Sequence, residues 1–354
     1  MLKKMAAMSA AVLLVMSLSA CSGGAGSSQE QIWYSTKNST EEVHVAFGDG
    51  VVDAAEAAGY SGEVTVAESD AAKQNEQLNN LVQNIRPKAI IVNPYDSDSV
   101  SDVLARANDA EIPVAVVDNK ANNADVDVSV LFDSVSAGEA AGEKAVELLT
   151  KRYGEPKGVV VNLYGEVISQ VFKERAEGFE KVLKEYPKIE VISALGAPES
   201  DVATSALSNI LADAESSGKK IDLVNTPADT ATLGAAEALK THNLWHKKDD
   251  PNHVFVISVE GQSAILDLVR EGYVDAEVVL DAYGVGGIAV EVLNEYTMQG
   301  QEVPTSGTFE PKGDFLNKEV TFEEGDTGPT IMLDSLVVDE ANVDDERIWG
   351  NANN

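Results

Sequence analysis

The sequence predicts an α/β protein of two lobes, each a parallel sheet covered by helices on both faces. Three observations carry this. Short apolar runs alternate along the chain with amphipathic stretches of helical period. The runs are continuously apolar rather than alternating, which is the pattern of strands buried on both faces. The alternation forms two arrays of similar size within 354 residues, a length that suits two domains.

The N-terminus reads as a targeting segment. Lys3 and Lys4 form a positive region, and Met5 to Leu18 is apolar but too short to span a bilayer comfortably. It ends in Leu18-Ser19-Ala20-Cys21, which resembles a bacterial lipobox. That resemblance implies a signal peptide over residues 1–20, cleavage before Cys21 and lipidation of its thiol. Residues 21–31 follow as a Gly/Ser-rich tether. Cys21 is the only cysteine, which excludes disulfides within the chain and cysteine-based metal sites. No second apolar stretch approaches the length of a membrane span.

From Ile32 the strand-like runs are Val64–Ala67, Ala89–Val92, Val114–Val117, Val126–Leu131, Val159–Leu163, Val191–Ser193, Leu223–Asn225, Val254–Val259 and Val278–Leu280. Helical spacing appears in Leu78, Leu81, Val82 and Ile85, in Val100, Val103, Leu104 and Ala107, and in Phe172, Ala176, Phe179, Val182 and Leu183. Val43, Val45 and Phe47 alternate like a strand, whereas Phe47, Val51, Ala54 and Ala58 continue like a helix. The Gly-, Pro-, Thr- and Glu-rich stretch from Pro304 to Pro329 reads as loops or a hairpin. No strong internal repeat is visible.

The formal net charge of -33 excludes nucleic acid as a partner and disfavours anionic lipid headgroups. Neither a nucleophile elbow nor a phosphate-binding loop is present, and Gly284, Gly286 and Gly287 lack the spacing of a dinucleotide fingerprint. His242, His246 and His253 are not completed by a cysteine or acid at zinc-motif spacing. No metal and no cofactor is expected.

Ligands in open α/β sheets bind beyond the carboxyl ends of strands. The polar residues there are Asn93-Pro94-Tyr95-Asp96, Asp118-Asn119, Tyr164-Gly165-Glu166, Thr226 to Asp229, Glu260-Gly261 and Asp281 to Tyr283. Ser97 to Asp102 is read as helix-starting chemistry, with Ser99 and Asp102 in a capping-box pattern. Asp118-Asn119 suits either a polyol contact or a solvated turn.

These segments resemble the type I periplasmic binding proteins of bacterial sugar transporters, the ribose- and galactose-binding proteins. The resemblance rests on AIIVNPYDSDSVSDVLARANDAEIPVAVVDN, KERAEGFEKVL, ADTATLGAAEALKTHN, VISVEG, AEVVLDAYGVGGIAVEVL and LVVDEANVDD, in that order. It covers roughly Ile32 to Asp345 and implies two Rossmann-like lobes joined by three hinge crossovers. These would fall near Ser134, near Asp281 and after Pro311. The lobes would then be 32–134 plus 282–311, and 135–281 plus part of 312–354. The resemblance also implies ligand contacts at Asn93, Asp118, Asn119, Lys173, Asp229 and Glu260, with Asp281 beside Leu280. Departures are plain: Ala228 precedes Asp229, Leu280 replaces an amide, and the two aromatics of the first loop give way to Val43 and His44 after Glu41. The second-lobe aromatic is lost near Pro198. Glu41, His44 and Tyr95 therefore join the candidate contacts, with Tyr164, Phe172 and Tyr283 as further stacking candidates.

The implied function is a monomeric extracytoplasmic lipoprotein of an ABC importer. It would bind a small polar solute, a sugar or sugar derivative, and hand it to permease subunits, with no chemistry of its own. Two alternatives remain open: a sensor lipoprotein docking on a membrane receptor kinase, and a metal-dependent enzyme using His44 or the other three histidines.

Overall fold

The computed structural model describes residues 30–165, 170–196 and 199–352. The lipobox, the tether up to residue 29, Glu166 and Pro198 lie outside them. β1 (Gln31–Thr36) opens the first lobe. The apolar-run criterion misses it, because Gln31, Ser35 and Thr36 interrupt the run. α1 (Glu42–Ala57) settles the ambiguous stretch as a helix: Val43, Phe47, Val51 and Ala54 are buried at helical spacing, while Val45 is exposed. β2 (Ser61–Val66), α2 (Ala71–Asn80), β3 (Ala89–Val92), α3 (Ser101–Asp109), β4 (Val114–Val117) and β5 (Val128–Phe132) follow. The capping box does not form. Asp96 Oδ1 instead accepts from the amides of Asp98 and Ser99, and the helix begins only at Ser101.

The second lobe holds α4 (Ser134–Tyr153), β6 (Gly158–Tyr164), α5 (Gln170–Leu183), β7 (Ile189–Leu195), α6 (Ser200–Ser217), β8 (Leu223–Asn225), α7 (Asp229–Thr241), β9 (Phe255–Glu260), α8 (Ser263–Glu271) and β10 (Ala276–Val279). The chain then returns through α9 (Ala282–Glu295) to β11 (Gly307–Phe309), β12 (Val320–Gly325) and β13 (Gly328–Leu333), before β14 (Leu336–Val338).

One sheet runs β11-β12-β13-β5-β4-β3-β1-β2 and the other β14-β10-β9-β8-β6-β7. The central order is the same in both, a doubly wound arrangement that the sequence shows no repeat for. All pairings among β1 to β10 are parallel, whereas β11–β12, β12–β13 and β10–β14 are antiparallel. The Pro304–Pro329 stretch thus contributes a hairpin that extends the first sheet, and Thr330 to Leu333 pairs parallel with β5. The central strands are apolar on both faces because helices cover both. Ile91 and Val116 are fully buried, and truncating such a residue to Ala costs about 2–5 kcal/mol.

Three crossovers join the lobes: Phe132 to Ser134, Val279 to Ala282 and Leu333 to Leu336. They are tied together. The Asp133 amide donates to Leu333 O at 3.1 Å. Asp281 caps α9 through the Gly284 amide and accepts from both nitrogens of Asn317, whose side chain also bonds Asp334. Helix pairs in both lobes approach without room for a side chain. A Cβ on Gly50 of α1 would lie 2.0 Å from Tyr283 O, and one on Gly138 of α4 would lie 2.1 Å from Arg175 O.

Candidate functional site

The C-terminal ends of both sheets face one cleft, a cavity of ≈280 Å³ lined from both lobes. A wider groove of ≈490 Å³ lies at the starts of the first-lobe strands, beside Gln31, Lys88 and Pro113. That is the end from which open α/β sheets do not bind ligands.

The first-lobe wall begins where β1 stops. Lys37 Nζ lies 2.8 Å from Asp118 Oδ2, with both side chains at least 86% buried. Asn93, wholly buried at the end of β3, donates its amide to the same oxygen at 3.2 Å. Burial alone would raise the Asp118 carboxyl, yet Lys37, with His44 and Arg175 behind it, holds it below the usual carboxylate range. Asp118 also sits at φ 62°, a left-handed conformation that a non-glycine residue adopts at some strain. Asn119 turns aside to donate to Pro94 O at 3.2 Å.

Asn38 organises the start of α1. Its Oδ1 accepts from the amides of Thr40 and Glu41, and its Nδ2 donates to Glu41 Oε1 at 2.9 Å. Glu41 Oε2 stands 3.5 Å from His44 Nε2. Burial, then the Lys37 ammonium, pushes the His44 imidazole below its ordinary value. Tyr95 stands at the mouth with its side chain largely exposed. Its backbone amide is held by Gln74 Oε1 at 2.8 Å, while Gln74 Nε2 donates to Asn93 O and Ser35 Oγ. Gln74 is fully buried inside a helix whose other residues are mostly polar. Nothing in the local pattern distinguishes it as the residue that fixes this loop.

On the second-lobe wall, Arg175 of α5 is 4% exposed and donates from Nη1 to Pro227 O at 2.7 Å. The same nitrogen stands 3.5 Å from Glu260 Oε1. Glu260 ends β9 at φ 132°, and its Oε2 meets the Asp229 amide at 3.3 Å. Burial pushes the Glu260 carboxyl up to about 8, against the pull of Arg175. Phe172 and Leu280 complete this wall. Ser263 Oγ, from α8, lies 3.4 Å from Glu42 Oε2 of α1, so the two lobes also meet at the rim.

The cleft therefore gathers Glu41, His44, Tyr95, Asp118, Asn119 and Glu260, with Asn93 directly behind Asp118. Three expected contacts stand elsewhere. Lys173 is half exposed and lies 3.8 Å from Glu177, because a two-residue step turns a helix by about 200° and gives Arg175 the inward face instead. Asp229 is buried behind Glu260, accepting from Ser258 and from the amides of Gly261 and Gln262. Asp281 belongs to the hinge. Tyr283 also points away, donating to Asp53 at 2.6 Å. Lys37, Asn38 and Arg175 are the cleft residues that strand and helix patterns do not single out.

The histidines of the second lobe are separately engaged. His242 meets Glu215, His246 meets Asn243 O, and His253 lies between His246 O and Asp275. Among the described residues no group of three or more His, Cys, Asp or Glu side chains is placed to hold a metal ion. No helix among them is long and apolar enough to cross a membrane.

Residues 32–302 match the family model described as a periplasmic binding protein domain. The chain is 26% identical over 259 residues to the ribose import binding protein of Salmonella typhimurium, covering 73% of this chain and 81% of that protein. It is 29% identical to the D-apiose import binding protein of Actinobacillus succinogenes, covering 64% and 68%. Among solved structures, an ABC transporter solute binding protein from Bacillus halodurans with bound myo-inositol superposes with a TM-score of 0.70 at 24% identity, over 92% of this chain and 99% of that one. A periplasmic solute binding protein from Actinobacillus succinogenes with bound D-allose gives 0.72 at 20% identity, over 89% and 99%. The likeness to the solved structures is one of fold, two α/β lobes with sheets flanked by helices. The chain belongs to the periplasmic binding protein domain family.

Proposed function

We propose that this chain is the extracytoplasmic solute-capturing component of an ABC importer, held to the membrane through a lipidated Cys21. As a monomer it closes its lobes on one small polyhydroxylated solute, a sugar or sugar derivative, and passes it to the permease. The observation that carries this reading is the pairing of an acid with a base on each wall of the cleft: Asp118 with Lys37, and Glu260 with Arg175. A hydroxyl group both donates and accepts, so vicinal hydroxyls match a carboxylate set beside a cation. The cavity of ≈280 Å³ is at the small end for ligand pockets and suits one sugar-sized solute. Relatives that import ribose and D-apiose support the same class. Val43 and His44 stand where the resemblance places two stacking aromatics, so the acid–base pairs carry much of the recognition, with Tyr95 and Phe172 as the ring side chains left in the lining. The chain forms and breaks no bond; its work is the differential affinity of open and closed states.

The test is a thermal-shift screen of the purified chain against sugars, polyols and nucleosides. A cognate sugar or polyol raises the Tm in proportion to ln(1 + [L]/Kd), and Asp118→Ala and Glu260→Ala each abolish that response while still folding. A screen without any response, or both variants binding normally, overturns the reading.

A further inference from the structure

Glu277 stands in β10 with its side chain wholly buried, and neither of its carboxyl oxygens receives a hydrogen bond. An ionised carboxylate without donors is among the costliest groups a protein interior can hold. The neighbours relieve it little, since the one nearby hydroxyl, Ser258, donates to Asp229. β10 runs parallel to β9 in a register that sets Glu277 beside Ser258 and Val279 beside Glu260, so Ser258 and Glu260 share its face of the sheet. From β14 the paired residue is Val338. The buried residues of α4 and α8, which also pack on β10, are uncharged. From α7 comes Asp229, 1% exposed and within hydrogen-bond reach of Glu277.

Asp229 is the opposite case. Its Oδ1 accepts from the Ser258 hydroxyl at 2.7 Å, and its Oδ2 from the amides of Gly261 at 3.1 Å and Gln262 at 2.6 Å. Three donors stabilise charge on Asp229, whereas the only donor beside Glu277 is the Ser258 hydroxyl, whose proton Asp229 already takes. In this pair the proton therefore stays on Glu277. Burial first, then the charge of Asp229, pushes the Glu277 carboxyl well above its ordinary range.

We infer that Glu277 is a positioning residue for the cleft: as a neutral acid it donates to Asp229, which pins the Gly261 and Gln262 amides and so fixes the turn that presents Glu260. The turn needs such holding, since Glu260 and Gly261 both sit at positive φ, 132° and 112°. Without the Glu277 donor, Asp229 lies buried near a second acid, takes up a proton itself and loosens its grip on both amides. The inference deepens the reading of Glu260 as a solute contact and rests on it, but its test needs no solute.

The experiment is a carboxyl carbon NMR titration of the full-length chain labelled at Asp and Glu, comparing wild type, Glu277→Gln, Glu277→Leu and Asp229→Asn. Glu277 stays protonated through neutral pH. Glu277→Gln keeps a donor and leaves the Glu260 midpoint near its value of about 8. Glu277→Leu moves that midpoint by at least ~0.5 unit, a change that mere loss of stability does not produce. If Glu277→Leu fails to fold, Asp229→Asn decides, since removing the neighbouring charge lowers the Glu277 midpoint. A Glu277 that titrates as an ordinary carboxylate overturns the inference. So does an unmoved Glu260 midpoint in Glu277→Leu, or an unmoved Glu277 midpoint in Asp229→Asn. A failed solute screen overturns the import reading without touching these titrations.

Discussion

The ammonium of Lys37 lies 2.8 Å from the carboxylate of Asp118, joining the ends of β1 and β4 across the buried amide of Asn93. Neither residue is hidden from solvent entirely, yet each is mostly enclosed, so the pair is worth more than a surface ion pair and leaves a poorly solvated charge when broken. Lys37→Ala is expected to cost about 1–3 kcal/mol. The Asp118 carboxyl is depressed in the folded chain. Its stabilisation is therefore present above the unfolded carboxylate value near ~3.9 and is lost as pH falls through the lower folded value. Urea midpoints across acid pH check both points: Lys37→Ala loses stability at neutral pH and also loses part of the acid-side slope.

Glu260 has the reverse sign. Its folded value of about 8 lies above that of the unfolded chain, so its contribution is complete below ~4.3 and is lost as pH rises through about 8. Solute hydroxyls donate to the ionised form. Below that midpoint, binding therefore releases a proton, and affinity falls as the pH is lowered. Calorimetry in two buffers of different ionisation enthalpy measures the release; Glu260→Gln abolishes it and weakens binding at least ~10-fold.

Arg175 and Lys173 are two residues apart on α5 and face opposite ways. Arg175→Lys keeps the charge but loses the planar fork, and is expected to weaken solute binding ~10–100-fold. Lys173→Ala is expected to change affinity less than ~2-fold, as an exposed pair is worth little. Equal losses from the two variants would show that α5 turns differently when the solute is bound.

Gly138→Ala tests how Arg175 is placed. The added Cβ would stand 2.1 Å from Arg175 O, so α4 and α5 must move apart. Overpacking of this kind costs about 1–3 kcal/mol, and here it should also weaken binding. Gly50→Ala, at the equally tight contact of α1 with α9, is the control. It should lower the Tm with a smaller effect on affinity. Denaturation and binding curves on both variants separate the effects.

Glu277→Gln should be more stable than wild type in alkali. The raised Glu277 carboxyl favours the folded chain at low pH and loses that advantage as pH rises toward its folded value. Glutamine has no proton to lose. Urea midpoints at about pH 6 and about pH 9 should show the variant gaining on wild type between the two.

Much of the scaffold is legible in the chain because strand burial and helix periodicity are local signals. Ala89–Val92, Val114–Val117 and Leu223–Asn225 appear in the structure with the bounds their apolar runs suggest. β1 was hidden by its polar residues, and the turn-rich stretch that reads as loops or a hairpin gave no sign that its strands extend the first sheet. Along the chain, strand ends point to Asn93, Asp118 and Glu260 together with Asp229 and Asp281, and local pattern does not separate the cleft residues from those that cap a helix or hold a turn.

The sequence by itself determined the α/β class, the two-lobed layout and the strand ends that carry polar groups, since each follows from residues adjacent in the chain. Only the tertiary structure decided which of those groups meet. The Lys37–Asp118 pair spans 81 residues and the Arg175–Glu260 approach spans 85. Whether Lys173 or Arg175 faces inward depends on the roll of α5 against α4 at Gly138. That Asp229 supports Glu260 from behind depends on α7 lying over β9. Such contacts are set by packing between distant segments, and no local pattern encodes the angle at which two helices and a sheet come together.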